Sequence, residues 1–385
     1  MKKQIVSMAL AAVFALSVNA QEATNKKDGN FKFSILKSLD KNEVDNQNRT
    51  STCWSFSSLS FFESELLRMG KGKVNLSEMF VVRKSYEAKA DIYVRMHGNF
   101  SFSPGGAFHD ALNVWKRYGM MPQSAYAGLN YGETKHNHAE LDGILSDMVK
   151  NVVKAPNGKI STSWKDAMNG ILDAYLGKVP ETFDVNGKKM TSQEYTKSLG
   201  LNPDDYVSLS SFTHHPAYSK FILEVPDNWA LGEVYNLPLN EFAETMEAAI
   251  NNGFSFAWAS DVSEKGFSWK NGVAVVPERG WEDATKAEID SLTSWPTKQL
   301  TITPELRQKA FDNYETQDDH GMHITGLAKD QNGTKYYIVK NSWGTKSNDC
   351  DGYMYASEAY VLYKTTCILV HKNAIPKHIA KKLGL

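Results

Sequence analysis

The hydrophobic spacing changes character along this chain, and that change limits the fold more than any other feature. Near the start, Phe56, Leu59, Phe62 and Leu66 recur at three- and four-residue steps, which predicts a helix from Trp54 to Met69 stopped by Gly70. Asn75-Leu76-Ser77-Glu78 opens a second helix, with Ser77 as its N-cap. Gly105-Gly106 precedes a third, which carries Ala111, Val114 and Trp115 and ends at Gly119. Leu239 to Asn252 reads as a further helix. From there strands dominate: Phe254 to Ser260, then His320 to Ala328 and Tyr336 to Lys340 around the turn Asp330-Gln331-Asn332-Gly333, then Gly352 to Tyr355 and Cys367 to Val370. A helical first part and a β-rich last part predict an α+β fold of two lobes facing across a cleft. Residues from 127 to about 235 are more polar and mixed, and read as an insertion between the lobes.

With 385 residues the chain has ample surface to bury a core, and a net charge of -1 gives no global nucleic-acid footprint. The first twenty residues stand apart. Lys2 and Lys3 precede an apolar run from Ile5 to Val18, and Val18-Asn19-Ala20 precedes Gln21. This is the pattern of a secretory signal peptide cut after Ala20, too short to span a bilayer comfortably. Export follows as the expectation, to periplasm or exterior, with no stable membrane insertion after cleavage. Residues 21–30 are polar and are expected as a disordered leader. Cys53, Cys350 and Cys367 are too few for a disulfide scaffold, and an odd count leaves at least one thiol free.

The chemistry begins at Cys53, at the expected start of the first helix. A helix N-terminus carries partial positive charge and favours the thiolate, the reactive form of a cysteine nucleophile. Six residues earlier, the amide of Gln47 can fold back as a donor to a developing oxyanion, beside the Cys53 backbone N–H. His320, at the head of an apolar strand, can take the thiol proton and return it to a leaving amine. Twenty-one residues on, the Asn341 carbonyl can orient that imidazole and Trp343 can cover the bond from water. His323 has opposite strand parity to His320 and faces the other way.

These segments resemble the papain superfamily of cysteine peptidases. Cys53-Trp54-Ser55-Phe56-Ser57 resembles the nucleophile motif, Asp319-His320-Gly321-Met322 the histidine motif, and Asn341-Ser342-Trp343-Gly344 the asparagine motif, in family order. His320 lies 267 residues after Cys53, against roughly 130–150 in papain itself. That extra length resembles the bleomycin hydrolase, or aminopeptidase C, branch. So do Val44-Asp45-Asn46-Gln47, Tyr118-Gly119-Met120-Met121-Pro122 and His371-Lys372-Asn373-Ala374-Ile375-Pro376. The resemblance implies a papain-like domain over 31–385. It also implies a Cys53–His320 thiolate–imidazolium pair oriented by Asn341, an oxyanion donor at Gln47, and a substrate backbone pairing beside Gly106. No cofactor is implied. Peptides are the implied substrates, attacked at a free amino end, and a homo-oligomer, a hexamer, the implied assembly. In that branch a C-terminal arm fills the cleft; here the tail to Leu385 is expected to stop short of it, as a solvated or helical end.

Three other readings stay open. An unblocked cleft permits endopeptidase action. An inactive peptide-binding protein of the same fold is possible in principle, as is acyl transfer to an amine. Metal catalysis is disfavoured: His136, His138, His214 and His215 offer imidazoles, but no CxxC or HExxH pattern accompanies them.

Overall fold

A computed structural model of the chain describes residues 22–154, 158–281 and 284–385. The expected signal peptide lies outside them. Strands β1 (Glu22–Thr24) and β2 (Lys32–Ser38) come first. Helices α1 (Cys53–Arg68), α2 (Glu78–Arg95) and α3 (Phe108–Tyr118) follow, close to their expected bounds. The Ser77 hydroxyl accepts from Phe80 N at 3.0 Å, capping α2, and Gly119 closes α3 at φ +80°. Next come α4 (Ala139–Val153), α5 (Trp164–Leu176), the hairpin β3 (Phe183–Val185) and β4 (Lys188–Met190), and α6 (Ser192–Leu199). Then follow β5 (Tyr206–Ser210), β6 (Lys220–Ile222), β7 (Glu233–Asn236), α7 (Leu239–Asn251) and β8 (Phe256–Ser260). After β9 (Phe267–Ser268), β10 (Val273–Ala274), α8 (Lys286–Leu292) and α9 (Pro304–Asp312), the long strand β11 (His320–Asp330) begins. The chain closes with β12 (Lys335–Lys340), β13 (Tyr353–Ser357), α10 (Glu358–Lys364), β14 (Thr365–His371) and α11 (Lys377–Leu383).

The sheet runs β6-β7-β5-β14-β8-β11-β12-β13-β10-β9, with β2 joining the far half of β11 and β1 joining β2. Two cores flank it. Phe56, Phe62, Leu66, Phe80, Ala111 and Trp115 hold α1, α2 and α3 together. Trp258, Met322, Ile324, Tyr337 and Phe242 pack the opposite side. Each of the large side chains among them contributes roughly 1.5–3 kcal/mol by leaving water. The fold is therefore α+β with a helical lobe against a β-rich one, as expected.

The stretch expected as one insertion behaves as two parts. Residues 139–199 add helices to the helical core through Leu141, Leu145, Leu172 and Leu199. From Tyr206 on, the chain joins the main sheet, with β5 beside β14. The polar leader is corrected over residues 22–30. Glu22–Thr24 pairs with β2, and Asn25 is fully buried, donating to Asn271 O at 2.5 Å and accepting from Phe31 N at 3.2 Å.

The tail is helical and docked. Ile379 and Leu383 are buried against the α7 side with Phe242 and Met246, and Lys382 donates to Glu241 at 2.5 Å. No residue of α11 lines the cleft around Cys53.

Candidate active site

Cys53 is the first residue of α1, and Thr52 before it makes no side-chain capping bond to the helix. The open N–H groups of this first turn favour negative charge at the thiol. Across the cleft stands the head of β11. Gly321 permits the approach: a Cβ there would lie 2.7 Å from Ser57 Oγ and 3.4 Å from the Cys53 carbonyl. Cys53, His320, Gly321 and Gly106 line one cavity. Gly106 also carries a packing constraint, since a Cβ would sit 2.9 Å from the Trp54 ring.

His320 Nε2 lies 2.7 Å from Asn341 Oδ1, so the ring N–H donates there and Nδ1 is left for proton exchange with the thiol. Asn341 Oδ1 accepts a second bond from Ser342 N at 2.8 Å, which fixes the amide. Trp343 stacks on the imidazole at 4.7 Å and 29°, and Trp269 backs Trp343 edge-on at 5.0 Å. The Asn–His bond is thus roofed by indole.

Gln47 is buried and tied to the same segment. Its N–H donates to Ser342 O at 2.8 Å, and Ser342 Oγ donates to Gln47 Oε1 at 2.6 Å. With its carbonyl end engaged, the amide keeps its Nε2 donors for another acceptor. Asn46 pairs with Trp343 as an antiparallel bridge, and Gly344 N donates to Asp45 O at 3.0 Å. The structure therefore brings together Gln47, Cys53, Gly106, His320, Asn341 and Trp343, all six of the residues singled out from the sequence.

Burial is the largest electrostatic influence on both groups. Burial pushes the Cys53 thiol up to about 12, aided by the negative fields of Asp318 and Asp227, while the Gly321 and Trp54 N–H groups pull it back. Burial pulls the His320 imidazole down to about 4 against the Asn341 bond and Asp319. Burial thus acts on both groups toward their neutral forms, while the helix start and the Asn341 bond act toward the charged ones.

The other histidines stand apart. His323 Nδ1 meets Ser60 Oγ at 2.9 Å on the α1 side of β11, and Lys340 Nζ donates to that same hydroxyl. His214 and His215 share Glu224, forming the one three-residue cluster with metal-ligand spacing among the described residues; it contains neither Cys53 nor His320. All three cysteines are free thiols; Cys350 abuts the Asn25 carbonyl and Cys367 lines the cleft.

Sequence reasoning missed two groups. Asp227 and Asp318 line the cleft beside Cys53. The acidic doublet before His320 was visible, but nothing marked Asp227. Behind the site, Lys340 is buried in the field of Asp45, Glu63 and Glu78. Only tertiary structure assembles that cluster.

A helix-start thiol, an amide-held imidazole and a two-lobed α+β fold are together the architecture of a cysteine-type peptidase. The family model described as Peptidase C1-like family matches residues 1–384, and the chain belongs to that family. It is 25% identical to aminopeptidase W of Lactobacillus delbrueckii subsp. lactis, covering 98% of this chain and 91% of that one. It is 24% identical to aminopeptidase C of Streptococcus thermophilus, over 90% and 83%. It is also 24% identical to mitochondrial cysteine proteinase 1 of Saccharomyces cerevisiae, over 97% and 84%. The crystal structure of PepW from Lactobacillus rhamnosis superposes with a TM-score of 0.70 at 20% identity, over 91% of this chain and 84% of that one.

Proposed function

We propose that this chain is a cysteine aminopeptidase that releases N-terminal residues from peptides through an acyl-enzyme on Cys53. The observation that carries the chemistry is the His320–Asn341 bond at 2.7 Å, with Cys53 across the same cavity. The choice of amino end is supported by the names of full-length relatives, aminopeptidases W and C. His320 takes the thiol proton and the sulfur attacks the carbonyl. Gln47 Nε2 and the Cys53 N–H bind the oxyanion, and Asn341 holds the imidazolium that forms. His320 gives the proton to the leaving amine, then activates water to release the acyl group. Gly106 supplies backbone for the substrate to pair with, and no cofactor enters.

The docked tail favours a second mode in addition. With α11 held on α7 by Leu383 and Lys382, N-blocked peptides can also enter the cleft. Rates on matched free-amine and N-acetylated substrates test both modes. Deleting residues 381–385 is expected to leave the ratio of those two rates within about twofold, while lowering stability by about 1–3 kcal/mol through loss of buried Leu383. A sharp fall in free-amine hydrolysis with a rise in blocked-peptide hydrolysis would instead place the tail in the cleft.

The start of the chain supports export, with maturation at Gln21, and the family resemblance supports a homo-oligomer, hexameric in form. Among the described residues no helix is long and apolar enough to cross a membrane. Native mass spectrometry of protein from its own cells reads both properties: a subunit beginning at Gln21, and a sixfold multiple of its mass. An intact Met1 on the active form would overturn export, and a monomer the assembly.

A further inference from the structure

The reaction just described leaves two carboxylates of the cleft without a role. Asp227 lies between β6 and β7, and Asp318 lies just ahead of β11, yet both line the cavity that holds Cys53 and Gly106. Asp227 presses on the glycine pair of the opposite wall: a Cβ on Gly105 would fall 2.0 Å from its Oδ2. Each carboxylate has one hydroxyl partner, Ser103 at 3.3 Å for Asp227 and Thr366 at 3.2 Å for Asp318. A neutral hydroxyl satisfies one lone pair and balances no charge.

Among the described residues no Lys or Arg lines this cavity. The cation behind it, Lys89, donates to the Ser103 and Gly105 carbonyls and so braces the glycine loop. The third carboxylate, Asp319, is held by Val262 N at 3.3 Å and Ser263 N at 3.0 Å, and His109 Nε2 lies 3.6 Å from Asp110. Negative charge is therefore in excess on the wall facing the nucleophile. Burial, with Asp227 close by, pushes Asp318 up to about 7, and burial raises Asp227 against the opposing field of Lys89. Leu223, Val225 and Val234 give the same cavity apolar surface.

We propose that Asp227 and Asp318 receive the N-terminal ammonium of the substrate and so set the first peptide carbonyl against Cys53. This rests on the aminopeptidase reading. An ammonium leaving water for a partly enclosed cavity loses several kcal/mol of hydration unless charge meets it, and two carboxylates converging from different segments meet it. The chain's own α11 supplies no carboxylate here, because it is docked elsewhere. A bound ammonium also offsets the Asp318 and Asp227 fields that add to burial in holding the Cys53 thiol up, so a free-amine substrate favours ionisation of its own nucleophile.

The test compares kcat/KM for leucine anilide and acetyl-leucine anilide in the wild type, Asp227→Asn, Asp318→Asn and the double variant. Asparagine keeps shape and the hydroxyl partners while removing charge. The ratio of free-amine to blocked rates is expected to fall about ten- to hundred-fold in each single variant, and further in the double. Labelling of Cys53 by a thiol-directed epoxide and an unchanged melting temperature establish that each variant is folded. Should Asp318→Asn not fold, Asp318→Ser takes its place. A wild-type preference for free amines that persists in the variants would overturn this inference and leave the aminopeptidase reading standing. A wild type with no such preference would overturn that reading, and this one with it. Preference of the wild type for acetyl-Lys-Leu over acetyl-Leu-Leu anilide, lost in the variants, would assign the carboxylates to a basic side chain and also overturn it.

Discussion

Cys53→Ala is expected to lower kcat/KM on any peptide by a factor on the order of 10⁴ or more, the scale of nucleophile removal in acyl-transfer enzymes. The thiol is the only atom group deleted. Alanine suits the first turn of α1, and Cys53 is only partly buried, so the melting temperature should move by no more than about 2–3 °C. The variant also separates Cys53 from Cys367, whose sulfur borders the same cleft. Cys367 is buried on β14, its thiol held up by desolvation and by Asp318, with no imidazole bonded to it. Stopped activity with retained binding of a peptide, read by calorimetry, places the nucleophile at Cys53. Turnover within tenfold of wild type in pure Cys53→Ala protein would end the cysteine-peptidase reading of this site.

Glu63→Gln is expected to stabilise the protein increasingly as pH rises. Glu63 is 1% exposed, and its Oε1 accepts from Leu76 N at 2.8 Å. Burial, then the neighbouring Asp45 charge, pushes its carboxyl from 4.5 up to about 8. The folded state therefore holds a proton that the unfolded chain releases at neutral pH. By linkage, stability present below pH 4.5 is lost progressively as pH rises to about 8. Glutamine keeps an acceptor oxygen for Leu76 N and has no proton to lose. Variant and wild type should thus diverge at up to about 1.4 kcal/mol per pH unit across that window, by about 2–4 kcal/mol in all. Urea unfolding at pH 5, 6, 7 and 8 measures it. A difference that is constant with pH would show that Glu63 is ionised in the folded protein.

Local patterns carried much of the fold. The spacing of Phe56, Leu59, Phe62 and Leu66 located α1 to within one residue at each end, because one apolar face packs against a single core. Strand parity separated His320 from His323, since alternate side chains leave β11 on opposite faces. The polar stretch before Phe31 misled for a physical reason: Asn25 is buried by bonding to Asn271, a residue 246 positions away, and no local composition encodes that. For the Cys–His pair, the helix start is legible in the sequence and favours charge, whereas the desolvation that opposes it is visible only in the fold. Asp227 and Asp318 lie 91 positions apart and meet only in the folded cleft. The Lys340 cluster draws on α1, α2, β12 and the loop at Asp45, so its residues read singly as ordinary surface charges.

The bond from Ser342 to Gln47 joins positions 295 residues apart. Synthesis proceeds from the N-terminus at roughly 5–20 residues per second, so the thiol emerges many seconds before the segment that aligns its helper amide. During that interval the growing chain carries Cys53 without His320, Asn341 or an aligned Gln47. A chain still short of Asn341 lacks the bond that orients His320, so on the proposed mechanism peptide cleavage waits for the last strands to form.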